Sequence, residues 1–419
     1  MASQTQTAKQ TILSRLDAEQ DAMVRSVQSW AEQPSGSWYR AGLEDMGEIV
    51  HAAFARLGGQ YDRVEPAPGE RVTDAGEVEA VTYGPIHRFT KRPDAPRRVL
   101  LTGHLDTVYP EDSAFTGCTW LDDDRLNGPG VADMKGGLIV MLHALTAVEE
   151  AGLADDLGWE VLISSDEEIG SIGSDPALRR GAANAQIGLT YEPALSDGTL
   201  AGARKGSGNF TLVVDGRAAH AGREFDAGRN AVWLLARGIE HLYALNGQRG
   251  GVTVNPAVIH GGTAPNVVPD KALCRFNIRV TDADEQAWAE AALERILADL
   301  NGHDGFTARL HGRFNRPPKQ ISAPNRALFD LIKRCGADLG LDVAFKDTGG
   351  CCEGNNLADA GLPNVDTLGV RGGLIHSHDE FVLVSSFAER AKLSALILMA
   401  FAEGALDPAL AQEKAEAGA

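Results

Sequence analysis

Histidine and carboxylate side chains occur at several points where apolar runs of the sequence end. In LLTGHLDTVYP, His104 and Asp106 are two positions apart at the end of a strand-like run, so both side chains can leave the same face. A neutral imidazole is a good zinc ligand, and a nearby carboxylate that accepts its second N–H orients the ring. The pattern therefore indicates a metal ligand, with a capping aspartate and an incidental histidine as the alternative.

Asp133 ends a glycine- and proline-rich loop, NGPGVADMKGG, directly before an apolar run. An aspartate in that place could cap the following helix by accepting a bond from a backbone N–H. Its two carboxylate oxygens could equally bridge two cations. The residues of this segment alone leave both interpretations open.

Three successive acids, Asp166, Glu167 and Glu168, follow the buried-strand pattern WEVLISS. Packing three carboxylates at a strand end costs electrostatic repulsion unless a cation or a proton compensates for it. Adjacent positions point in different directions, so one glutamate could bind a metal while its neighbour accepts a proton from water. The alternative is a solvated acidic turn.

Two further segments contain candidate ligands. Glu192 in LTYEPA ends a strand-like run, and Pro193 holds it in an extended conformation. His376 and His378 occur in IHSHDEF. With the residues above, these side chains form a set of nitrogen and oxygen donors without thiolate. Such a set suits zinc, with manganese or cobalt as alternatives.

The elements that would position these residues alternate between strands and helices. Residues 8–33 predict an N-terminal helix, VLLTGH a buried strand, MKGGLIVMLHALTAVEEAG a helix, and WEVLISS and IGLTYE two further strands. Alternating strands and helices predict an α/β sheet covered on both faces. The carboxyl ends of its strands are the usual place for a site.

The pattern changes near Gly206. The segments NFTLVVDG, VTVNPAVIHGG, ALCRFNIRV and FTARLHGRF predict strands, with helices over 230–245 and 284–300, in the ferredoxin-like β-α-β-β-α-β order. After Pro317 the first pattern resumes with a helix over 325–339, the turn TGGCCEGNN, a long C-terminal helix and a polar tail, AQEKAEAGA, that would fray. We therefore predict a discontinuous metal-binding domain, 1–205 and 317–419, and an inserted domain, 206–316.

In combination these motifs resemble a family of dinuclear zinc metallohydrolases. It includes glutamate carboxypeptidase, acetylornithine deacetylase, succinyl-diaminopimelate desuccinylase and aminoacylase, and the resemblance extends from about residue 40 to 405. It implies a zinc-peptidase-like catalytic domain with a mixed, mostly parallel sheet between helices. The H-x-D motif appears as His104-Leu105-Asp106, which implies a ligand and its orienting carboxylate. Asp133 in GVADMKGG matches the bridging aspartate.

The remaining site motifs of the family are also present. The D-E-E turn implies Glu167 as general base and Glu168 as a ligand of one metal, and the E-P motif implies Glu192 as a ligand of the other. In the H-x-x-D-E frame the last ligand is His376, and His378 falls at a variable position. The resemblance thus implies two divalent ions per chain, zinc first.

The inserted domain resembles the family's lid, which pairs two subunits. The G-x-x-x-H-x-[AG] segment implies that His220 reaches the active site of a partner subunit and polarises the scissile carbonyl. Asn266 matches the N-[VI]-[VI]-P loop, and Arg279 matches a strand arginine that meets a substrate carboxylate, for which a guanidinium fork is suited. We expect a homodimer formed through the lid.

One segment departs from the family pattern. The family's glycine turn commonly has the sequence T-G-G-G-T-D, whereas this chain has Cys351, Cys352 and Glu353 after Thr348-Gly349-Gly350. The two cysteines could contact substrate, respond to oxidation, or be small buried residues, as free cysteines commonly are. Because this turn borders the substrate pocket in the family, the identity of the substrate is left open.

Composition limits the partners. The net charge is −19 and the pI about 5.0, a field that repels nucleic acid and anionic membrane surfaces. The N-terminus lacks a signal-like apolar region, and the five cysteines form no C-x-x-C pair, so we predict a cytoplasmic protein with reduced thiols.

We therefore expect a hydrolase that cleaves an amide bond in a small N-acyl amino acid or short peptide with a free carboxylate, through a water molecule activated by Glu167. A protein that binds metal and dimerises on the same fold, without catalysis, is the alternative. Arg279 favours the substrate carboxylate, and the motifs do not separate a carboxypeptidase from a deacylase.

Overall fold

The computed structural model describes residues 2–153 and 155–406. Its α-helices are α1 Ala2–Ala18, α2 Gln20–Ala31, α3 Arg40–Phe54, α4 Lys135–Glu150, α5 Asp175–Asn184, α6 Ala231–Tyr243, α7 Ala283–Asn301, α8 Ala323–Asp338, α9 Glu353–Asp359 and α10 Ser386–Ala402. Its strands are β1 Gln60–Val64, β2 Gly69–Val72, β3 Val78–Val81, β4 Ile86–Lys91, β5 Arg97–His104, β6 Thr119–Trp120, β7 Arg125–Asn127, β8 Leu157–Ser164, β9 Ile187–Thr190, β10 Leu200–Arg204, β11 Gly206–Asp215, β12 Ala219–His220, β13 Thr253–Gly261, β14 Val267–Val268, β15 Lys271–Val280, β16 Thr307–Arg316, β17 Phe345–Thr348, β18 Asn364–Val365, β19 Gly372–Gly373 and β20 Phe381–Leu383.

The larger sheet has six strands in the order β1-β4-β8-β5-β9-β18. Strands β8, β5, β9 and β18 are parallel neighbours, and β1 and β4 pair antiparallel at one side. The expected mixed, mostly parallel sheet is thus confirmed. Three of its neighbouring strands, β8, β5 and β9, end at one edge, where the candidate site lies.

Alternate residues of the central strands pack on opposite faces of this sheet. Leu101 and Val161 belong to the main core, which is shared with α1, α2, α4, α8 and α10. Leu100 and Leu162 belong to a second core with α5 and α9. Because side chains alternate along a strand, apolar residues at successive positions require cover on both faces. The apolar runs predicted this arrangement correctly.

The N-terminal helix predicted over residues 8–33 is two helices, α1 and α2, that meet at Glu19. The Glu19 N–H still donates to the Arg15 carbonyl at 3.0 Å, so helical hydrogen bonding continues through the junction. The Glu19 carboxylate lies 2.6 Å from His143 on α4. This contact joins residues distant in sequence, so periodicity alone does not reveal the junction.

The second sheet contains four antiparallel strands in the order β13-β15-β11-β16. With α6 and α7 between its strands, this is the ferredoxin-like arrangement. It has its own core, in which Leu234 and Leu235 of α6 pack with Phe276 and Ile278 of β15. The sheet begins at Gly206 and ends at Arg316. Strand β13 is one of its two edges.

The segment predicted as the turn TGGCCEGNN is a turn only in its first half. Helix α9 begins at Glu353, and Cys352 caps it: the Gly354 N–H donates to Cys352 Sγ at 3.3 Å, and the Cys352 N–H donates to Asn355 Oδ1 at 3.1 Å. The prediction was wrong because glycine and asparagine have low helix propensity and cysteine is an uncommon cap.

The tail AQEKAEAGA, for which fraying was predicted, lies outside the described residues. Within the described part of the chain, no helix has both the length and the apolar character that crossing a membrane requires.

Candidate metal centre

His104 stands at the carboxyl end of β5 and is fully buried. Its Nδ1 lies 3.0 Å from the carbonyl oxygen of Asp106 and 3.4 Å from the Asp106 carboxylate. Its Nε2 lies 3.2 Å from Asp133 Oδ1 and 3.7 Å from Glu192 Oε1. One ring nitrogen is therefore engaged by the Asp106 segment, and the other faces two carboxylates.

Asp133 does not cap the following helix. Helix α4 begins at Lys135, Met134 holds the cap position, and no side chain caps it. The two carboxylate oxygens of Asp133 instead face two imidazoles: Oδ1 is 3.2 Å from His104 Nε2, and Oδ2 is 3.3 Å from His376 Nε2. Of the two interpretations left open by the sequence, the geometry favours a bridging carboxylate.

Two glycines allow α4 to pack directly against the candidate ligands. A Cβ atom at Gly136 would lie 2.3 Å from the Val131 carbonyl oxygen, and one at Gly137 would lie 2.0 Å from the Tyr191 carbonyl oxygen. Such distances exclude any side chain. The KGG sequence after Asp133 thus brings the start of α4 against the strand end that bears Glu192.

His376, not its neighbour His378, faces the acidic cluster. His376 Nε2 lies 3.2 Å from Glu168 Oε2 as well as 3.3 Å from Asp133 Oδ2. His376 has a φ of +63°, an unusual conformation for a non-glycine residue that is concentrated at functional sites. The ring of His378 stacks on Phe115, with centroids 5.2 Å apart.

The three successive acids have different surroundings. Asp166 Oδ2 accepts from the N–H groups of Gly173 at 2.7 Å and Ser174 at 3.2 Å, so this carboxylate fixes the loop that follows. Burial raises the pKa of Asp166 to about 6. Glu167 and Glu168 each contribute an oxygen to a group of possible metal ligands, and the division of tasks between them stays a prediction.

The Asp106 carboxylate accepts hydrogen bonds from the backbone of this acidic turn. Its Oδ1 accepts from the Glu167 N–H and its Oδ2 from the Glu168 N–H, each at 3.2 Å. Ser37 Oγ also donates to Asp106 Oδ2 at 2.7 Å. Asp106 thus connects the His104 segment to the acidic turn. The Ser37 contact was not foreseen, because Ser37 carries no motif visible in this sequence.

Glu167 is paired with an arginine that the sequence analysis missed. Arg316 Nη2 donates to Glu167 Oε1 at 2.5 Å and to the Glu167 carbonyl oxygen at 3.1 Å, and its Nη1 donates to Asn356 Oδ1 at 2.7 Å. Arg316 is the last residue of β16 and is 2% exposed. In the sequence, Arg316 is distinguished only by its position directly before Pro317 and Pro318, where the pattern of strands and helices changes.

Glu380 and Tyr109 link the two loops that bear Asp133 and His376. Glu380 Oε1 accepts from the N–H groups of Ala132 at 2.9 Å and Asp133 at 3.0 Å. The Tyr109 hydroxyl lies 2.7 Å from both Glu380 Oε2 and the Ser377 carbonyl oxygen. Glu380, the glutamate of the H-x-x-D-E frame, therefore positions the backbone of Asp133. Sequence spacing alone did not reveal this role.

The buried carboxylates of the cluster need a neighbouring positive charge to be stable in their ionised form. Burial raises the pKa of Glu192 to about 7 and that of Glu168 well above its usual range. Hydrogen bonds from the His376 ring to the carboxylates of Asp133 and Glu168 raise the pKa of His376 to about 11. Glu192 Oε1 is buried and has no hydrogen-bond partner within the described residues. Carboxylates placed this closely are stabilised by a cation.

The donor atoms form two overlapping groups that share His104, and each group could hold a metal ion. Ligand atoms of His104, Asp133 and Glu168 lie within 4.8 Å of one another, and so do those of His104, Glu167 and Glu192. Glu167 is thus near enough to be either a ligand or the base beside the metals. All of these donors are nitrogen or oxygen, which suits zinc, manganese or cobalt.

A cavity of about 660 Å³ opens beside this cluster, between the two sheets. The four-stranded sheet contributes Arg279 to its wall, whose Nε donates to Asn277 Oδ1 and whose Nη1 donates to Cys351 Sγ, both at 3.0 Å. Arg279 therefore lies where a substrate next to the acids would meet it. Cys351 and Cys352 both line the same cavity, and the Cys352 side chain is buried at the cap of α9.

His220 and Asn266 lie apart from this cluster within the described chain. Both are exposed and stand together on the short β12-β14 ladder, where the Ala221 N–H donates to the Asn266 carbonyl oxygen at 3.0 Å. They do not belong to the described wall of the cavity. The structure thus brings the predicted metal ligands close to the predicted base, Glu167, and to Arg279. His220 and Asn266 lie outside this group.

Comparisons with known proteins support the resemblance of this chain to the dinuclear metallohydrolases. Residues 100–400 match the model of a family described as Peptidase family M20/M25/M40. The chain is similar to carboxypeptidase G2 from Pseudomonas sp. (strain RS-16), with 25% identity over 399 residues that cover 92% of this chain and 91% of that protein. It is also similar to a succinyl-diaminopimelate desuccinylase from Verminephrobacter eiseniae (strain EF01-2), with 26% identity over 357 residues, 81% of this chain and 87% of that protein.

The fold is similar to that of solved members of the same family. The YXEP protein of Bacillus subtilis, described as a dinuclear metal binding peptidase from the M20 family, superimposes with a TM-score of 0.63 at 13% identity, over 92% of this chain and 99% of that one. The family model covers most of the described chain, including every residue of the acidic cluster. The chain therefore belongs to peptidase family M20/M25/M40 and is a metal-dependent hydrolase of carbon–nitrogen bonds.

Proposed function

We propose that the chain hydrolyses the amide bond of a small N-acyl amino acid or short peptide with a free carboxylate, using two divalent cations. The residues that would hold the cations are His104, Asp133, Glu168, Glu192 and His376. One observation carries the proposal: the two oxygens of Asp133 face two different imidazoles, at 3.2 and 3.3 Å. Glu168 and Glu192 stand on either side of that arrangement.

Bound cations would lower the pKa of water at the site and stabilise negative charge on the amide oxygen in the transition state. Glu167 accepts the proton of the attacking water and returns it to the leaving amine. Arg316 orients Glu167 through a charged hydrogen bond, and Asn356 accepts from the same guanidinium and so fixes Arg316. Asp106 fixes the backbone on which Glu167 and Glu168 stand.

Zinc is the proposed metal, since the ligand set has imidazoles and carboxylates and no thiolate. The dinuclear description of the Bacillus subtilis relative supports two ions per chain. Manganese or cobalt would fit the same donors. Metal analysis of the purified protein distinguishes them.

Arg279 is the proposed partner of the substrate carboxylate. Its guanidinium lines the cavity beside the acidic cluster, and an arginine fork matches a carboxylate in two parallel hydrogen bonds. The names of the relatives, a carboxypeptidase and a desuccinylase, support both peptides and N-acyl amino acids as substrates. The amide and the carboxylate are thus the common elements of the proposed substrate.

We infer a homodimer formed through residues 206–316 as a lid, with 1–205 and 317–419 as the catalytic domain. Edge strand β13 presents Val258 and Ile259, which are 40% and 60% exposed, and α6 presents Tyr243, which is 66% exposed. An exposed apolar edge strand favours pairing with another chain. In such a dimer, His220 and Asn266 of one subunit would serve the site of the other, which agrees with their distance from the cluster of their own chain.

The alternative, a metal-binding dimeric protein without catalysis, is not favoured. Glu167 lies beside the cluster and is oriented by Arg316, a placement that suits a proton acceptor next to the metal site. A cytoplasmic location stays a prediction, supported by five cysteines that are all free of disulfides.

The test of the proposed function is a substrate panel assayed with protein loaded separately with zinc, manganese or cobalt. The panel pairs N-acyl amino acids and dipeptides with the corresponding carboxamides, which lack the carboxylate. We expect turnover of at least one carboxylate-bearing amide and much weaker turnover of its carboxamide. Silence on the whole panel with fully metal-loaded protein would support the non-catalytic alternative.

A further inference from the structure

The β2-β3 hairpin, residues 69–81, precedes the central strands of the six-stranded sheet in the chain but contacts the four-stranded sheet. Asp74 Oδ1 lies 2.7 Å from Arg275 Nη1 on β15 and 3.4 Å from His260 Nε2 on β13. A second nitrogen of the same guanidinium, Arg275 Nη2, donates to the Val72 carbonyl oxygen at 2.9 Å. The turn of the hairpin is therefore bonded to two neighbouring strands of the other sheet.

The tip of the hairpin also packs against an apolar part of that sheet. Val213 of β11 and Leu273 of β15 pair across the strands and are 0% and 1% exposed. The residues on either side of them belong to the core with α6 and α7, so these two side chains point to the opposite face. A Cβ atom at Gly76 would lie 3.1 Å from Val213 Cγ1. Beside it, Lys271 Nζ donates to the Glu77 carboxylate. Apolar burial thus adds to ion pairs that contribute little by themselves when exposed.

The base of the hairpin is bonded to the loop that follows the acidic turn. The Ala67 N–H donates to the Gly173 carbonyl oxygen at 2.9 Å, and the Gly173 N–H donates to Asp166 Oδ2 at 2.7 Å. A Cβ atom at Gly69 would lie 2.1 Å from the Tyr83 hydroxyl oxygen, so β2 begins in direct contact with the segment before β4. One end of the hairpin is therefore fixed to the acidic turn and the other end to the four-stranded sheet.

The basic residues that the hairpin contacts on β15 form one row with Arg279. Lys271, Arg275 and Arg279 are each four positions apart, so they lie on the same face of the strand. The hairpin contacts the first two, and the third lines the cavity beside the acidic cluster. Four residues of strand span about 13 Å, so Arg275 is held at that distance along β15 from Arg279. The place of Arg279 over the cavity thus depends on where the hairpin holds the strand.

We propose that the β2-β3 hairpin is a positioning element, which holds the four-stranded sheet, and with it Arg279, at a fixed distance from the metal centre. Asp74 is its main positioning residue, because its carboxylate binds the Arg275 guanidinium that Val72 also engages. The inference rests on the proposed function, in which Arg279 binds the substrate carboxylate. It adds that this recognition depends on residues that do not touch the substrate, since small displacements of a binding group are costly.

Charge reversal tests the ion pair. Asp74→Arg and Arg275→Asp each place like charges opposite one another, which should release the hairpin from β15. For a carboxylate-bearing amide and zinc-loaded protein, we expect KM to rise by roughly 3- to 10-fold and kcat to change by less than about twofold. The double variant restores an opposite-charge pair and should return KM to within about twofold of wild type. Wild-type KM in both single variants, or no recovery in the double variant, overturns the proposal.

Glu79 provides the matched control. It lies on β3 of the same hairpin and pairs with Arg71 on β2 at 3.3 Å, within the hairpin. Glu79→Arg changes the charge of the hairpin as much as Asp74→Arg does but removes no bond to β15. We expect its KM to stay within about twofold of wild type. If Glu79→Arg raises KM as much as Asp74→Arg, the effect comes from charge at a distance and the proposal fails.

Hydrogen exchange separates failure of this inference from failure of the proposed function. An isolated two-stranded hairpin is marginally stable in water, so the amides of residues 69–81 should exchange faster when the hairpin is released. On metal-loaded protein without substrate, we expect exchange at least about 10-fold faster in Arg275→Asp and recovery in the double variant. That result supports the inference even if no compound of the panel is hydrolysed. Equal exchange in wild type and Arg275→Asp overturns it, whether or not the protein is active.

Discussion

The guanidinium of Arg316 lies 2.5 Å from the carboxylate of Glu167, although the two residues are 149 positions apart. Arg316 ends the four-stranded sheet, and Glu167 follows a strand of the six-stranded sheet. The orientation of the proposed base thus depends on how the two sheets are joined. Asn356, in the middle of α9, accepts a hydrogen bond from the same guanidinium at 2.7 Å.

Arg279→Gln should impair recognition of the substrate carboxylate. The substitution removes the charged fork that faces the cavity beside the acidic cluster, so we expect KM for a carboxylate-bearing amide to rise by roughly 10- to 100-fold with a smaller change in kcat. Steady-state kinetics on the acid and on its carboxamide check this. If the variant discriminates between acid and carboxamide as well as wild type does, Arg279 does not bind the carboxylate.

Glu380→Gln should weaken metal binding without removing any ligand. Glutamine has one acceptor oxygen: if it accepts from the N–H groups of Ala132 and Asp133, its NH2 group faces the Gly130 N–H, so the loop that bears Asp133 loses an acceptor. We expect metal affinity about 10- to 100-fold lower, measured by competition with a chelator. Tyr109→Phe, which keeps the carboxylate, should have a smaller effect. Wild-type affinity in both variants would contradict this role.

Glu353→Gln should change how stability depends on pH. Burial raises the pKa of Glu353 to about 8, and its Oε2 has no partner among the described residues. A carboxyl group with a raised folded-state pKa stabilises the fold at low pH, and that contribution is lost as pH rises through the folded pKa. Between pH 6 and pH 9 the wild type should therefore lose roughly 2 kcal/mol relative to the variant.

Thermal unfolding of the metal-loaded proteins at several pH values measures this difference. The matched control is Glu290→Gln on α7, because Glu290 is exposed. The control should differ from wild type by the same amount at each pH. A Glu353→Gln curve that runs parallel to wild type would show that Glu353 is ionised throughout.

Subunit mixing tests the proposed role of His220. Glu167→Gln and His220→Ala should each be weakly active alone, because every site in either homodimer lacks one required group. In a mixed dimer, the site of the His220→Ala subunit has its own Glu167 and receives an intact His220 from its partner. We expect activity to reappear on refolding the two together, with Ile259→Lys on β13 abolishing the effect. No recovery in a dimer shown to exchange subunits would exclude action across the interface.

The sequence predicted the parts of the site that are local in the chain. Acids and histidines at strand ends, such as His104, Asp133 and Glu192, are visible because a buried strand is an uninterrupted apolar run and its carboxyl end is a fixed place. The mixed sheet and the ferredoxin-like order followed from the same periodicities. Family spacing then separated His376 from His378, and the distances to Asp133 and Glu168 agree.

The sequence did not predict contacts that depend on tertiary packing. Ser37 bonds to Asp106 across 69 positions and Arg316 to Glu167 across 149, and no spacing rule connects such pairs. Helix α9 was missed for a different reason: its first residues have low helix propensity, and it is stabilised by the Cys352 cap and by tertiary contacts. These are the features that hold the proposed base and shape the pocket.

The most direct test of the account is the metal content of the protein measured together with its turnover, in wild type and in Glu167→Gln. We expect two divalent ions per chain in both proteins and a kcat about 10²- to 10⁴-fold lower in the variant, because the base is removed while the ligands remain. Full activity in wild type with far fewer than two ions per chain would contradict the dinuclear site. Undiminished turnover in Glu167→Gln would contradict the proposed base.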